Sequence, residues 1–445
     1  MTDRKAPKRI ATAVLGSLKG GVVPRAGLEY ITVGRQAEID ALLRDVEVIA
    51  DGGAAFRFIV GRYGAGKSFL LQTIRNHVME KRFVVLDCDL SPERRFCGAK
   101  GQGLATYKEL VRNMSVRTRP EGGALPLVLE KWLSAVQGEA AAQGDAPDSP
   151  AFEQAVKRRI FEVVHAMEDM VNGFDFGQAL ARYWQAARDG DDEGKSKVLR
   201  WFRGEYATKT EARHALGINL IVTDDNWYDF LKLYAAFLVR AGYAGMLILV
   251  DELVNIYRIP HRVTRQYNYE KILAMYNDTL QGKARHIGIL MCATPQCLED
   301  PDKGVYSYDA LRSRLTEGRF SADANGAPPV RDLLAPVIRL EPLSYEEMMV
   351  LTEKLAALHA GLYEYTCDIT PEEYLAFLKA EYERIGASTH ITPREVIRDF
   401  VELLNITWQN PGRRIGDILR EGGFLFAQET QTEEGLHAEF AGFEV

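Results

Sequence analysis

The sequence predicts an α/β protein with a parallel five-stranded sheet, helices on both faces of that sheet, a long helical insertion and a C-terminal helical domain. Three observations lead to this prediction. Short apolar runs rich in branched residues recur before residue 341, they lack polar alternation, and helical patterns separate them. Buried parallel strands have this appearance because helices cover both faces of their sheet. From Ser344 onward the pattern is helical throughout.

Five of these runs have the length of a strand and indicate a doubly wound core. They are Phe56–Val60, Phe83–Leu86, Met246–Val250, His286–Cys292 and Pro336–Leu340. About 160 residues separate the second run from the third, far more than one crossover helix needs. We therefore expect a helical insertion over about residues 98–226, with helices at Leu125–Val136, Phe152–Asn172, Phe176–Ala187 and Ser196–Tyr206.

Three capping boxes mark helix starts in the C-terminal part of the chain. In each box a Ser or Thr side chain and a Glu three residues later satisfy the free N–H groups of the first turn. The pairs are Ser344/Glu347, Thr370/Glu373 and Thr392/Glu395. The domain organisation predicted from these patterns is a basic N-terminal arm at 1–30, an α/β domain at 31–342, a helical lid domain at 343–428 and an acidic tail at 429–445.

Composition narrows the class of protein. The chain has 445 residues, a formal net charge of −7 and five scattered cysteines, none of them in a C-x-x-C pair. Reduced thiols in a cytoplasmic protein explain this cysteine usage best. No apolar run reaches the length of a membrane-spanning helix, so we expect no contact with a membrane. The negative charge argues against a surface covered with nucleic-acid-binding groups, but it leaves room for a local basic strip.

A complete phosphate-binding loop lies between the first strand and a helical segment. Residues 61–68 fit the pattern G-x-x-x-x-G-K-[ST] in the strand–helix context that this motif requires. Glycines let backbone N–H groups surround phosphates, and the helix N-terminus adds its positive dipole end. The lysine places a charge on the outer phosphates of ATP, and the serine offers its hydroxyl to Mg²⁺. The candidate ATP-binding residues are Gly61, Arg62, Tyr63, Gly64, Ala65, Gly66, Lys67, Ser68 and Phe69.

Two carboxylates, Asp251 and Glu252, end the third apolar strand. In P-loop enzymes the first acid holds Mg²⁺, and the second polarises the attacking water. This pair favours hydrolysis over phosphoryl transfer to a small molecule, and two acids that merely open a loop are the alternative. Thr294 follows the neighbouring strand, where a polar residue would lie between the acids and the γ-phosphate, although an ordinary Thr-Pro turn explains it nearly as well.

Arginines near two helical segments are candidates for stabilising phosphate charge. Arg312, Arg314 and Arg319 lie close together, and one of them, inserted from a neighbouring subunit, would neutralise the transferred phosphoryl group. A solvated basic helix face is the alternative. Arg394 lies in the first turn of the helix after Thr392, where the helix dipole disfavours a cation unless a phosphate is bound. The alternative for Arg394 is an arginine at the edge of the apolar face of the helix, whose aliphatic side-chain carbons pack against that face.

The segment Tyr257–Lys271 interleaves basic and aromatic residues directly after the acid pair. Basic groups neutralise phosphates and aromatic rings stack on bases, so this segment is a candidate for DNA contact. Ordinary mixed surface is the alternative, since basic and aromatic residues also occur together without a ligand.

The order of these motifs resembles the AAA+ ATPases, in particular the branch of origin-recognition initiators and helicase loaders. Val33–Glu38 is similar to the segment that this branch places beside adenine, which implies that Arg35 lies near the base. By the same resemblance Thr294 is the first sensor residue, Arg394 the second, and Arg314 the arginine finger. The AAA+ likeness implies a homo-oligomer that binds ATP or ADP.

Three further strings resemble the BREX-type ATP-binding proteins of bacterial phage defence, the BrxC and BrxD group. They are Asp87–Arg95, Gly101–Leu104, and Ile259-Pro260 together with Arg265–Lys271. The resemblance implies an ATP-dependent switch or remodeller that acts with DNA, a helicase or another defence protein. Initiators usually carry a winged-helix domain after the lid, and the chain after the Arg394 helix is too short for one. A nucleotide-gated assembly module with little or no hydrolysis is the alternative function, and a small-molecule kinase is a weaker one.

Overall fold

The computed structural model describes residues 6–142, 149–316, 331–384 and 392–420. The chain forms two compact units. One, here called the lid unit, comprises residues 1–36, 63–69 and 341–445. The other, the α/β unit, comprises residues 37–62 and 70–340. The P-loop segment 63–69 therefore belongs to the same unit as the C-terminal helices.

The α/β unit contains one parallel sheet of five strands, in the order β2-β3-β4-β1-β5. All five predicted strands are confirmed, because each observed strand overlaps one of the apolar runs seen in the sequence. In the sheet Val60 pairs with Ala293, and Asp89 pairs with Asp251, so neighbouring strands end at one edge. The strand bounds are β1 Ala54–Val60, β2 Phe83–Asp89, β3 Gly245–Asp251, β4 Ile287–Ala293 and β5 Val337–Arg339.

Eighteen α-helices lie within the described ranges, and none of them is both long and apolar enough to cross a membrane. Their bounds are α1 Lys8–Lys19, α2 Gln36–Ala50, α3 Lys67–Glu80, α4 Gln102–Arg112, α5 Leu125–Ala142, α6 Pro150–His165, α7 Gly173–Arg188, α8 Asp192–Phe202, α9 Lys209–Leu216, α10 Trp227–Arg240, α11 Val254–Tyr257, α12 Arg262–Leu280, α13 Pro295–Glu299, α14 Asp309–Leu315, α15 Tyr345–Tyr363, α16 Pro371–Arg384, α17 Pro393–Gln409 and α18 Ile415–Arg420.

The long connection between β2 and β3 is helical, as the sequence predicts, and its helices share one apolar core with the sheet. Trp132, Trp184 and Trp201 are all buried in that core, so these tryptophans serve packing. The Trp201 indole N–H donates to the carbonyl of Leu220 at 2.7 Å. The predicted helix Phe152–Asn172 ends earlier, at His165, and a turn joins it to α7.

In the lid unit, α1 packs against α15 and α17 and buries Ala11, Val14, Leu15 and Leu18. This helix lies within the segment 1–30, which the sequence predicts to be a basic arm. Apolar residues at helical spacing form its buried face, while Lys8 and Arg9 stay exposed. The capping boxes of Ser344 and Thr392 are present as predicted.

A bidentate ion pair lies inside the α/β unit between β1 and α2. The Arg57 guanidinium donates to both carboxylate oxygens of Asp45, at 2.6 and 2.7 Å, and to the carbonyls of Leu334 and Ala335. Both side chains are mostly buried, with 9% and 14% exposure. The hydrogen bonds of this arginine therefore connect the chain that enters β5 to β1 and α2.

We expect Asp45→Ala to lower the free energy of unfolding by about 3–5 kcal/mol, because it leaves a buried guanidinium without its carboxylate. Glu47→Ala is the matched control, since Glu47 lies in the same helix and forms only an exposed pair with Lys81 at 3.8 Å. That control should change the free energy by less than about 0.5 kcal/mol. Urea unfolding of both variants gives the comparison, and equal effects would contradict the importance of the buried pair.

Candidate nucleotide-binding site

The P-loop begins where β1 ends and leads directly into α3. The N–H of Gly61 donates to the carbonyl of Ala293 at 3.1 Å, so the pairing of β1 with β4 extends one residue beyond the strand. Gly64 and Gly66 have φ angles of +76° and +91°. Side chains disfavour this left-handed region, which explains why the tight loop needs glycine at these two positions.

Residues of the lid unit contact the P-loop backbone at two points. A Cβ atom on Gly64 would lie 2.5 Å from the Cβ of Thr392, so the loop backbone packs directly against the N-cap of α17. Arg35 donates from Nη2 to the carbonyl of Ala65 at 3.2 Å and also to the carbonyl of Glu341. The resemblance places Arg35 beside adenine, whereas these contacts involve the phosphate loop.

Arg394, the candidate second sensor, lies in the first turn of α17 and is exposed. Its guanidinium carbon lies 5.5 Å from the centre of the Tyr63 ring, within range of a cation–π contact. Tyr63 is itself 58% exposed. The structure thus brings Arg394 to a P-loop side chain, although the two residues are far apart in the chain.

The acid pair lies at the carboxyl end of β3. Asp251 is the last residue of the strand, and its Oδ1 accepts the N–H of Glu252 at 2.8 Å. Glu252 has a φ of +59°, a left-handed conformation that costs a residue with a Cβ roughly 1–2 kcal/mol. The Glu252 carbonyl accepts a hydrogen bond from the N–H of Asn255 at 3.0 Å, and the N–H of Leu253 donates to the carbonyl of Cys292 at 3.3 Å. Strained backbone of this kind is concentrated at functional sites.

Asp89 is a further carboxylate beside this pair that the sequence analysis does not identify as a site residue. It pairs with Asp251 in the sheet register. Desolvation by the surrounding protein, followed by the negative charges of Asp251 and Asp87, raises the pKa of Asp89 above its usual value. Carboxylates crowded in this way favour a bound cation. Its position three residues after the second predicted strand, Phe83–Leu86, is the signal that points to it.

Thr294 follows β4, which lies between β3 and β1 in the sheet. Its hydroxyl oxygen accepts the N–H of Cys297 at 3.1 Å and so caps α13. The side chain is nearly buried, with 9% exposure. Thr294-Pro295 thus starts the short helix α13 and does not form a separate turn. The position next to β3 is also the one expected for a sensor, and the hydroxyl hydrogen can still donate.

Two of the three candidate arginine fingers lie on α14, and both are exposed. Arg312 forms an ion pair with Asp309 at 2.7 Å. Arg314 donates to the carbonyl of Ala310 at 2.7 Å within its own helix. Arg319 lies outside the described residues.

The segment Tyr257–Lys271 divides into a buried and an exposed part. Tyr257, Arg265 and Tyr269 are buried, and their polar groups bond to protein partners such as Asp300, which accepts the Tyr257 hydroxyl at 2.8 Å. These three residues serve packing and cannot contact DNA in this conformation. The exposed basic and aromatic residues of the segment are Arg258, His261, Arg262 and Tyr267, here called the basic surface.

Hydrogen bonds connect each of the strings that resemble BREX-type proteins, or residues next to them, with other parts of the α/β unit. The side-chain oxygen of Asn268 on α12 accepts the N–H groups of Phe96 and Cys97 at 2.9 and 3.2 Å. The backbone carbonyl of Arg95 accepts the hydroxyl of Thr106 on α4 at 2.6 Å. Asn255, which follows the acid pair, donates to the carbonyl of Leu90 at 2.9 Å. The root of the insertion is therefore bonded to the segments on either side of the basic surface.

A parallel sheet with a glycine-rich loop between β1 and α3 defines a P-loop nucleotide-binding protein. A family model matches residues 6–422, and by this match the chain belongs to the BREX system ATP-binding proteins BrxC/D. The family gives the protein an ATP-binding role in BREX phage defence. No curated protein matches the chain.

The left-handed conformation of Glu252 predicts an unusual order of stabilities. We expect Glu252→Gly to be more stable than Glu252→Ala by about 1 kcal/mol, because glycine adopts this conformation without a Cβ penalty. Glu270 on α12 provides the control, since in a helix the order reverses and the alanine variant is more stable by about 1 kcal/mol. Urea unfolding of the four variants measures both differences. The same order at both positions would argue against a left-handed Glu252.

Proposed function

We propose that this protein hydrolyses ATP as an AAA+ switch or remodeller, and that hydrolysis resets an assembly that acts with DNA or a DNA-processing partner in phage defence. The observation that carries the proposal is the acid pair at the end of β3, where Glu252 directly follows Asp251 and adopts a left-handed backbone conformation. Backbone strain of this kind clusters at functional sites, and a second carboxylate beside the candidate Mg²⁺ ligand can serve as the base that hydrolysis requires.

Binding of ATP is assigned to the P-loop. Lys67 and Ser68 open α3, so their side chains and backbone N–H groups lie at the positive end of a helix dipole. Hard oxygen donors such as the Ser68 hydroxyl and the Asp251 carboxylate suit Mg²⁺, which when bound neutralises phosphate charge. The hydrogen bond from the N–H of Glu252 fixes the orientation of the Asp251 carboxylate.

Turnover is assigned to Glu252, which accepts a proton from the attacking water. Thr294 donates its hydroxyl to that water or to a phosphate oxygen, which the N-cap bond to Cys297 allows because it uses only the oxygen lone pair. Arg394 contacts a phosphate from the lid unit. Arg314 is exposed and is assigned as the finger that completes the site of a neighbouring copy in a homo-oligomer.

The first test of the proposed function separates binding from turnover. Lys67→Ala should lose ATP binding, because it removes the point charge on the outer phosphates. Glu252→Gln should bind ATP–Mg²⁺ with unchanged affinity and hydrolyse it at least about 100-fold more slowly, since the general base is absent. Equilibrium binding and phosphate release measure these two quantities.

Full hydrolysis by Glu252→Gln would remove its assignment as the base. A wild-type protein that binds ATP and assembles on it, but releases no phosphate with or without DNA, would favour the alternative function of a nucleotide-gated assembly module. In that case Arg314→Ala should still weaken ATP-dependent assembly, measured as molar mass in solution.

The DNA contact is assigned to the basic surface. Arg262 opens α12, where the helix dipole disfavours a cation, so an anionic partner is favourable there. His261 is the N-cap of the same helix, and Arg258 follows the short helix α11. Tyr267 is 58% exposed on the same helix and offers a ring to an unpaired base. The buried neighbours Arg265 and Tyr269 hold the helix in place.

We expect the double variant Arg258→Ala/Arg262→Ala to bind single-stranded DNA more weakly and to lower the slope of log affinity against log salt by about 1.4, because two phosphate contacts are lost. Tyr267→Ala should weaken binding without changing the slope, since stacking is not ionic. Fluorescence anisotropy over a series of salt concentrations measures both effects.

The matched control is Arg112→Ala/Arg117→Ala, which removes the same charge from two exposed arginines outside the segment. An equal decrease in the slope of log affinity against log salt in this control would mean that DNA binding depends only on the net charge of the protein. That outcome would reject the basic surface as a specific contact.

A further inference from the structure

We propose that Arg35 positions the P-loop for phosphate binding, in place of the adenine contact that its sequence context implies. The proposal rests on ATP binding at the P-loop and is independent of whether the bound ATP is hydrolysed. It starts from the hydrogen bond between the Arg35 guanidinium and the carbonyl of Ala65, 30 residues further along the chain.

The Ala65 carbonyl bond determines the direction of one P-loop N–H group. In a trans peptide the C=O and the following N–H point in opposite directions, and the described chain contains no cis peptide. Because Arg35 holds the Ala65 carbonyl, the N–H of Gly66 points to the opposite side of the loop. N–H groups that point into the loop are what bind phosphate oxygens.

Arg35 is itself held rigidly by the lid unit. Gly34 and Arg35 both adopt left-handed conformations, with φ angles of +62° and +64°. A Cβ on Gly34 would lie 2.5 Å from a carboxylate oxygen of Glu347, the acid of the α15 capping box. Just before them, the carbonyl of Thr32 accepts the Nζ of Lys354 at 2.6 Å.

The same guanidinium also donates to the carbonyl of Glu341, at the start of the C-terminal part of the lid unit. One guanidinium nitrogen, Nη2, therefore joins three segments: its own turn, the P-loop and the chain that leads into α15. That nitrogen lies at the end of a planar guanidinium, and the shorter lysine side chain does not place its ammonium at the same point, so we expect Arg35→Lys to lose these bonds.

The test compares ligands that share phosphates and differ in the base. Wild type, Arg35→Ala and Arg35→Lys are titrated with ATP, GTP and inorganic tripolyphosphate, each with Mg²⁺, in competition with a fluorescent ATP analogue. If Arg35 positions the loop, the variants lose affinity for all three ligands by the same factor, roughly tenfold to hundredfold, and the ratio of ATP to GTP affinity stays constant.

Two further variants separate positioning from general damage to the lid unit. Gly34→Ala keeps the arginine but displaces it, so it should also weaken all three ligands. Arg414→Ala is the matched control, because Arg414 lies in the same unit, has an exposed side chain and forms an ion pair with Glu373 at 2.8 Å. It should leave all three affinities unchanged, and thermal unfolding of every variant confirms that it is folded.

Two results would overturn the proposal. A changed ratio of ATP affinity to GTP affinity, with unchanged affinity for tripolyphosphate, would show that Arg35 contacts the adenine base instead. Unchanged affinity for every ligand would show that the Ala65 carbonyl bond does not govern phosphate binding. Failure of the proposed function is distinguishable, because it appears as ATP binding without phosphate release in wild type, whatever the Arg35 variants do.

Discussion

The backbone ladder that joins β3, β4 and β1 determines where the catalytic candidates of the α/β unit lie. These strands are parallel and in register, so Asp251, Thr294 and Gly61 follow three neighbouring strands at one edge of the sheet. The ladder even extends into the P-loop through the bond between Gly61 and Ala293. Groups from distant parts of the sequence are thereby held by main-chain hydrogen bonds, which do not depend on side-chain rotamers.

The lid unit supports the phosphate loop by a different means. Two capping boxes, at the starts of α15 and α17, place Glu347 against Gly34 and Thr392 against Gly64. A capping box satisfies free N–H groups at a helix end, and here each box also provides a packing surface for a glycine in a left-handed turn. The helix starts that are easiest to see in the sequence thus also pack against Gly34 and the P-loop residue Gly64.

The helical insertion is anchored beside the acid pair instead of forming a separate domain. Its helices share the apolar core of the sheet, and the chain that leads into it is held by Asn255 and Asn268 from the segments after β3. These amide side chains form hydrogen bonds to backbone groups of Leu90 and Phe96, in the chain that leads into the insertion.

Sequence alone decides the features that depend on neighbours in the chain: the five apolar strands, the P-loop and the capping boxes, because periodicity and short motifs encode local burial and hydrogen bonding. It also indicates the family, because the three strings that resemble BREX-type proteins are short segments that can be compared residue by residue. Tertiary structure alone decides the partner of Arg35, the strain at Glu252, the crowding of Asp89 and the split of Tyr257–Lys271 into core and surface. Each of these features depends on a contact with a distant segment of the chain or on a backbone angle set by such contacts. Residue type and spacing in the sequence predict neither.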